Sequence, residues 1–286
     1  MKIVCIMGGL GNQMFQYAFY KSLVEAFGYQ QTMIDLSSYS NYQRYNHNGY
    51  ELFRVFGINA PIAPQNEIYR LGDFKKDFFS KVKRRFGGKG THIKEFETGK
   101  FQHNIYIDNA DRYYSGYWQS ESYFINVSDS LRHDFTFIDD LKDKNTNIVK
   151  EILSSNAISI HVRRGDYLNL SEIHPTCNFQ YYQKAIHEIE RNIDNPHYFI
   201  FSDDIEWCQM HFGFLERKNY IDWNKGQNSY IDMHLMSLCK HNIIANSSFS
   251  WWAAWLNNNL TKIVIAPEKW FGITTNNIAL SSWIKI

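Results

Sequence analysis

AISIHVRRGDY, Ala157 to Tyr167, is the stretch on which the fold turns. Ala157 to Val162 is a short apolar run rich in β-branched residues, which reads as a buried strand. Two arginines, a glycine and an aspartate follow at its carboxyl end. Downstream the pattern repeats. Phe179 to Ile193 reads as a helix, HYFIFS (His197 to Ser202) as a strand, and Ile231 to Cys239 as a second helix. NIIANS (Asn242 to Ser247) and KIVIAP (Lys262 to Pro267) are further strands, separated by a tryptophan-rich helix around Trp251 to Leu256. Strands alternating with helices predict a parallel sheet covered on both faces.

Upstream, the polar segment DDLKDKNTN (Asp139 to Asn147) marks a junction, so the chain divides into domains at 1–147 and 148–286. The first domain opens with a strand, Ile3 to Met7, and a glycine turn. Met14, Phe15, Ala18, Phe19, Leu23, Ala26 and Phe27 then recur at helical spacing, with Gly28 as the stop. Tyr113 to Phe124, YYSGYWQSESYF, reads as an aromatic strand and turn. The expected fold is α/β, two such domains facing a central cleft. The part from Leu36 to Tyr114, rich in Tyr, Asn and isolated glycines, carries no clear period.

Bulk composition narrows the function classes. The 286 residues are 44% apolar, enough for one large or two small cores. A net charge of +1 gives no whole-protein reason to bind nucleic acid. Cys5, Cys177, Cys208 and Cys239 form no CxxC pair, which fits reduced thiols in a cytosolic protein. No stretch is long and apolar enough for a secretory signal or a spanning helix, so a soluble, cytoplasmic chain is expected.

Four motifs carry chemistry. GGLGNQ, Gly8 to Gln13, lies between a strand and a helix, where freed backbone amides and a helix N-terminus suit a phosphate or a sugar. The dinucleotide fingerprint is incomplete, with Met14 in place of its last glycine, so a plain strand-to-helix turn weighs equally. HVRRGDY places Arg163 and Arg164 at the edge where open α/β sheets bind ligands. An arginine fork matches phosphate oxygens, against a solvated loop paired to acidic neighbours. FSDD, Phe201 to Asp204, sets two carboxylates beyond the next strand, as contacts to a ribose or guanine or as a helix cap. In NSSFSWWAAWL, Asn246 to Leu256, Ser247 and Ser248 can cap a helix and still face a phosphate, while Trp251, Trp252 and Trp255 read as core. Nowhere do two aspartates stand as Asp-x-Asp, and no oxygen-ligand cluster for magnesium is evident, so no metal or other cofactor is expected.

Together, GGLGNQMFQYA, GYWQSESYF, HVRRGDY, FSDD and NSSFSWWAAWL resemble the bacterial alpha-1,2-fucosyltransferases of glycosyltransferase family 11. The resemblance runs over nearly the whole chain. It implies a GT-B architecture of two Rossmann-like domains, with an N-terminal acceptor side and a C-terminal GDP-fucose-binding side. It also implies inverting, metal-independent transfer of L-fucose from GDP-β-L-fucose to the 2-hydroxyl of a terminal β-galactoside. Arg163 would hold the β-phosphate, and His161 and Asp203 would face the guanine or ribose, with Asp204 as the alternative carboxylate. Ser247, Ser248 and Phe249 would contact the phosphate and nucleotide. Asn12 and the Gly9 to Gly11 backbone would approach from the other domain, and Arg164 would contact the donor or anchor the loop. Asp166 and Glu121 are the carboxylates considered as general base. The basic stretch Phe74 to Phe86 admits a peripheral contact with the inner membrane face beside a lipid-linked acceptor, against a solvated helix face. Rival readings are a GT-B transferase using another nucleotide sugar, such as GDP-mannose, and a non-catalytic glycan- or nucleotide-binding module. A dehydrogenase is disfavoured by the incomplete fingerprint and by the lack of an acidic residue placed after a second strand.

Overall fold

The computed structural model describes residues 1–40, 48–74, 89–165, 176–272 and 278–286. The chain divides into two compact units, Met1–Ile138 and Asp139–Ile286. The helix Lys144–Leu153, which straddles position 147, lies whole in the second unit.

In the first unit, the described strands β1 (Lys2–Cys5), β2 (Thr32–Asp35), β3 (His92–Lys94) and β4 (Arg112–Ser115) form a parallel sheet in the order β2-β1-β4-β3. β1 is buried along its length, as a strand covered on both faces must be. The helix α1 (Leu10–Phe27) follows it and stops at Gly28, whose φ of 91° only glycine adopts readily. Its buried face carries Met14, Phe15, Ala18, Phe19 and Leu23, with Gln13 and Gln16 buried among them. Phe19 stacks on Trp118 at 4.3 Å, and Phe15 meets Phe124 at 6.1 Å. Each such phenyl burial contributes about 1.5–3 kcal/mol. The aromatic motif Tyr113 to Phe124 is therefore the surface on which α1 rests.

β2 corrects the sequence reading. A second strand does end in an acidic residue, Asp35, where a dinucleotide fold places its ribose ligand. Asp35 is fully buried, however, and accepts from Tyr113 Oη at 2.7 Å and from the Ser37 backbone N–H and hydroxyl at 2.8 and 3.0 Å. It is committed to the fold. Phe74 packs edge-on against Tyr113 at 5.1 Å, and the rest of the basic stretch falls in 75–88, outside the described residues.

In the second unit, β5 (Asn156–Val162), β6 (Pro196–Ser202), β7 (Lys218–Ile221), β8 (His241–Ile243), β9 (Val264–Ala266) and β10 (Ile284–Lys285) form a parallel sheet in the order β10-β9-β8-β5-β6-β7. Ile158, Ile160 and Val162 alternate along β5 onto one face. There they meet Tyr181, Tyr182, Ala185, Ile186 and Ile189 of the helix Phe179–Glu190. Ser159 and His161 consequently face the opposite side. Trp251, Trp252 and Trp255 are buried in the helix Ser248–Leu256, as core. The four cysteines are buried and unpaired. Among the described residues no helix is long and apolar enough to cross a membrane.

Candidate functional site

The register of the second sheet explains why two separate motifs meet. Val162, the last residue of β5, lies opposite Ser202, the last of β6, so Arg163 and Arg164 leave the sheet beside Asp203 and Asp204. Arg163 Nη1 lies 3.1 Å from Asp203 Oδ2, and Arg164 Nε lies 3.1 Å from Asp204 Oδ2. Asp203 Oδ1 also accepts the Arg164 backbone N–H at 2.9 Å. Gly165 completes the loop, since a Cβ there would stand 3.0 Å from Asp203 Oδ2.

The two arginines are held differently. Arg164 also lies over the Trp207 ring at 4.5 Å, and Asp204 caps the helix Ile205–His211 by accepting from Trp207 N–H at 3.1 Å. Arg164 thus ties the loop to that helix. Arg163 is more exposed, with 33% of its side-chain surface accessible against 18% for Arg164. An ion pair this accessible contributes at most about 1 kcal/mol, so an incoming anion can replace Asp203 as its partner.

His161 sits just behind this loop. Burial, aided by the charge of Arg163, pulls its imidazole down to about 3, so the ring is neutral at pH 7. Its Nδ1 is buried and has no hydrogen-bond partner among the described residues. An orphaned buried ring nitrogen beside arginines suits a polar ligand atom. The ring lies 5.8 Å from that of Phe249, which brings the motifs His161–Gly165 and Ser247–Phe249 together. Ser247 caps the helix Ser248–Leu256, its Oγ accepting from Phe249 N–H at 3.3 Å.

In the first unit, the turn Gly8–Gly9 precedes α1. Gly8 has φ +80°, a conformation open to glycine. Its carbonyl accepts from Gln13 Nε2 at 2.9 Å and from Tyr39 Oη at 2.8 Å. In a trans peptide the N–H points opposite the carbonyl, so the Gly9 N–H is directed away from Gln13 and Tyr39. Gln13 also donates to Gly49 C=O and accepts from Glu51 N–H, each at 2.8 Å. Gln16 joins Met7 N–H to Gly116 C=O. Asn12 Oδ1 accepts from Gln119 Nε2 at 2.8 Å.

Arg163, Arg164, Asp203 and Asp204 therefore meet in one loop cluster, with His161 and Phe249 adjoining. Gly9, Gly11 and Asn12 lie at the N-terminus of α1 in the other unit. Glu121 opens the short turn Glu121–Tyr123 of the first unit, and Asp166 lies outside the described residues. Among the described residues no cluster of three or more His, Cys, Asp or Glu side chains is arranged to hold a metal ion. Sequence reasoning missed Trp207, Tyr39, Gln16 and Gln119. The signal for Gln16 was available: with Gln13 it interrupts an apolar helical face.

An alpha-1,2-colitosyltransferase of Escherichia coli is 36% identical over 273 residues, spanning 93% of this chain and 91% of its own length. The Escherichia coli O-antigen biosynthesis glycosyltransferase WbnK is 32% identical and covers 99% of both chains. The solved fucosyltransferase NodZ from Bradyrhizobium shares the fold, with a TM-score of 0.52 over 88% of this chain and 90% of its own at 13% identity. That likeness places the two parallel-sheet units in the GT-B type. The family model described as glycosyl transferase family 11 matches residues 1–286, and the chain belongs to that family.

Proposed function

We propose that this glycosyltransferase moves L-fucose, or a closely related 6-deoxy sugar, from its GDP-β-linked donor to the 2-hydroxyl of a terminal β-galactoside, with inversion and without a metal ion. The carrying observation is the pairing of Arg163 with Asp203 at the carboxyl edge of the second sheet: a fixed cation beside an exchangeable partner. The relatives support the donor class, since they include alpha-1,2-colitosyltransferase and galactoside alpha-(1,2)-fucosyltransferases.

Cleavage of the bond from fucose to phosphate builds negative charge on the GDP oxygens and positive charge on the sugar ring. Arg163, exchanging Asp203 for the β-phosphate, stabilises charge that exists only as the bond breaks, and so lowers the barrier. Asp203, released, is available to the ribose or guanine donors, and the neutral His161 offers a ring nitrogen beside it. Asn12 and the Gly9 backbone serve the phosphate and sugar. The acceptor hydroxyl gives up its proton as the new bond forms; Asp166 and Glu121 are the candidate bases, and a loose, oxocarbenium-like transition state would make a strong base unnecessary.

Colitose is fucose without its 3-hydroxyl, and this sharpens the donor question. A site built to hydrogen-bond that hydroxyl rejects the deoxy sugar by about 10⁴–10⁵. GDP release is measured with EDTA present, for GDP-fucose, GDP-colitose and GDP-mannose, using lactose and a wider β-galactoside panel as acceptors. Acceptor-dependent release from GDP-fucose is expected. Release from GDP-colitose alone would move the donor to the dideoxy sugar, and release only from GDP-mannose would overturn the proposal. Turnover only after divalent metal is restored would overturn the metal-independent part.

A further inference from the structure

We propose that Gln119 is a positioning residue that fixes which face of the Asn12 amide is presented to the sugar donor. The proposal rests on the reading that Asn12 serves that donor. The two ends of an asparagine amide are not equivalent: Oδ1 only accepts and Nδ2 only donates. A diphosphate offers only acceptors, so Asn12 helps it through Nδ2 alone. Gln119 Nε2 donates to Oδ1 at 2.8 Å, which turns the oxygen toward Gln119. Asn12 Nδ2 then lies over Gly8, 2.9 Å from where a Cβ would stand, so the side chain in this position needs the glycine there.

Gln119 can do this only if its own backbone is fixed, and the turn that carries it is unusually constrained. Trp118 is a bulky residue in the left-handed region, with φ 55°, fully buried and stacked on Phe19. Glu95 accepts from Tyr117 N–H at 2.7 Å and from Trp118 N–H at 3.1 Å. Glu95 reaches those amides because residue 116 is glycine, where a Cβ would stand 2.4 Å from Glu95 Cβ. Backbone strain of this kind persists where the surroundings over-determine it, and it clusters at functional sites. Gln16 pins the same turn to α1 through Gly116 C=O at 3.0 Å. Glu95 and Gln16 thus hold the turn, the turn holds Gln119, and Gln119 orients Asn12.

The test is a double-mutant cycle on the full chain, reading kcat and KM from GDP release at saturating acceptor, with thermal melts to verify folding. Asn12→Ala and Gln119→Ala should each lower kcat by up to about 10²-fold with little change in KM, and the double variant should be no slower than Asn12→Ala. The near-isosteric Gln119→Glu gives a second reading. Its carboxylate draws Nδ2 toward itself and turns Oδ1 to the donor, so its kcat should fall to that of Asn12→Ala or below. Multiplicative losses in the cycle, or wild-type kcat in Gln119→Glu, would overturn the proposal while leaving Asn12 at the donor. Wild-type kcat in Asn12→Ala would overturn both.

Discussion

The loop after β1 and the loop after β5 each leave the carboxyl end of an interior strand of a parallel sheet, yet opposite chemistry holds them. The first is framed by neutral groups: Gln13, Gln16, Tyr39 and Gln119 bond to carbonyls, an N–H and the Asn12 side chain. The second is framed by two arginine–aspartate pairs at 3.1 Å, both partly exposed. Breaking a buried neutral frame strands polar atoms away from water, so that loop is rigid. Breaking a partly exposed ion pair costs little, so its arginine can change partners. The first loop has fixed geometry and the second an exchangeable ion pair.

The contrast is broken most visibly by Gln13→Ala. The variant leaves Glu51 N–H and the Gly8 and Gly49 carbonyls without their amide partner, at about 1–3 kcal/mol for each group that finds no other. Urea unfolding should show a loss of about 3 kcal/mol or more. A loss well under about 1 kcal/mol would mean that the loop is held by something other than its neutral frame.

A smaller effect tests whether the second unit has neutral pins of its own. Asn145, Trp223, Asn224 and Asp232 form a hydrogen-bonded group in which Asn224 Nδ2 donates to Asp232 Oδ1 at 2.8 Å. Asp232 keeps a little contact with solvent, yet burial pushes its carboxyl up to about 7 from the usual 3.8. Between those values the folded protein keeps a proton that the unfolded chain gives up, so stability from this group falls as pH rises from about 4 to about 7. Asp232→Asn keeps the acceptor and removes the titration. The difference in stability between variant and wild type should therefore grow in the variant's favour across that range, read by urea unfolding at several pH values. A difference that stays constant with pH would show that Asp232 is ionised in the folded protein.

What was legible in the sequence follows from the same physics. β5 and β6 are buried over most of their length and rich in Ile, Val and Phe, so both stand out from the residues alone. β7, whose first three residues are only half-buried, and the exposed edge strand β10 have no such run to give them away. β2 is only four residues, Thr32–Asp35, with a polar residue at each end, so it carries no readable run, and Asp35 was missed with it. At the site, residue types were readable and pairings were not. That Arg163 meets Asp203 depends on Val162 lying opposite Ser202, a register that no local pattern encodes. Gln119 and Asn12 lie far apart in sequence, and their segments meet through tertiary contacts such as Trp118 on Phe19 and Gln16 on Gly116.

The role of Arg163 is decided by comparing Arg163→Ala with Arg164→Ala for GDP release from GDP-fucose in the presence of a β-galactoside, with thermal melts alongside. Arg163→Ala should stay folded and lose about 10²–10³ in kcat, as expected when a donor to the developing negative charge is removed. Arg164→Ala, which gives up Asp204 and the Trp207 ring, should lower the melting temperature more and the rate less. Wild-type turnover in Arg163→Ala, or the reverse order of the two rate losses, would contradict the assignment of Arg163 to the leaving diphosphate.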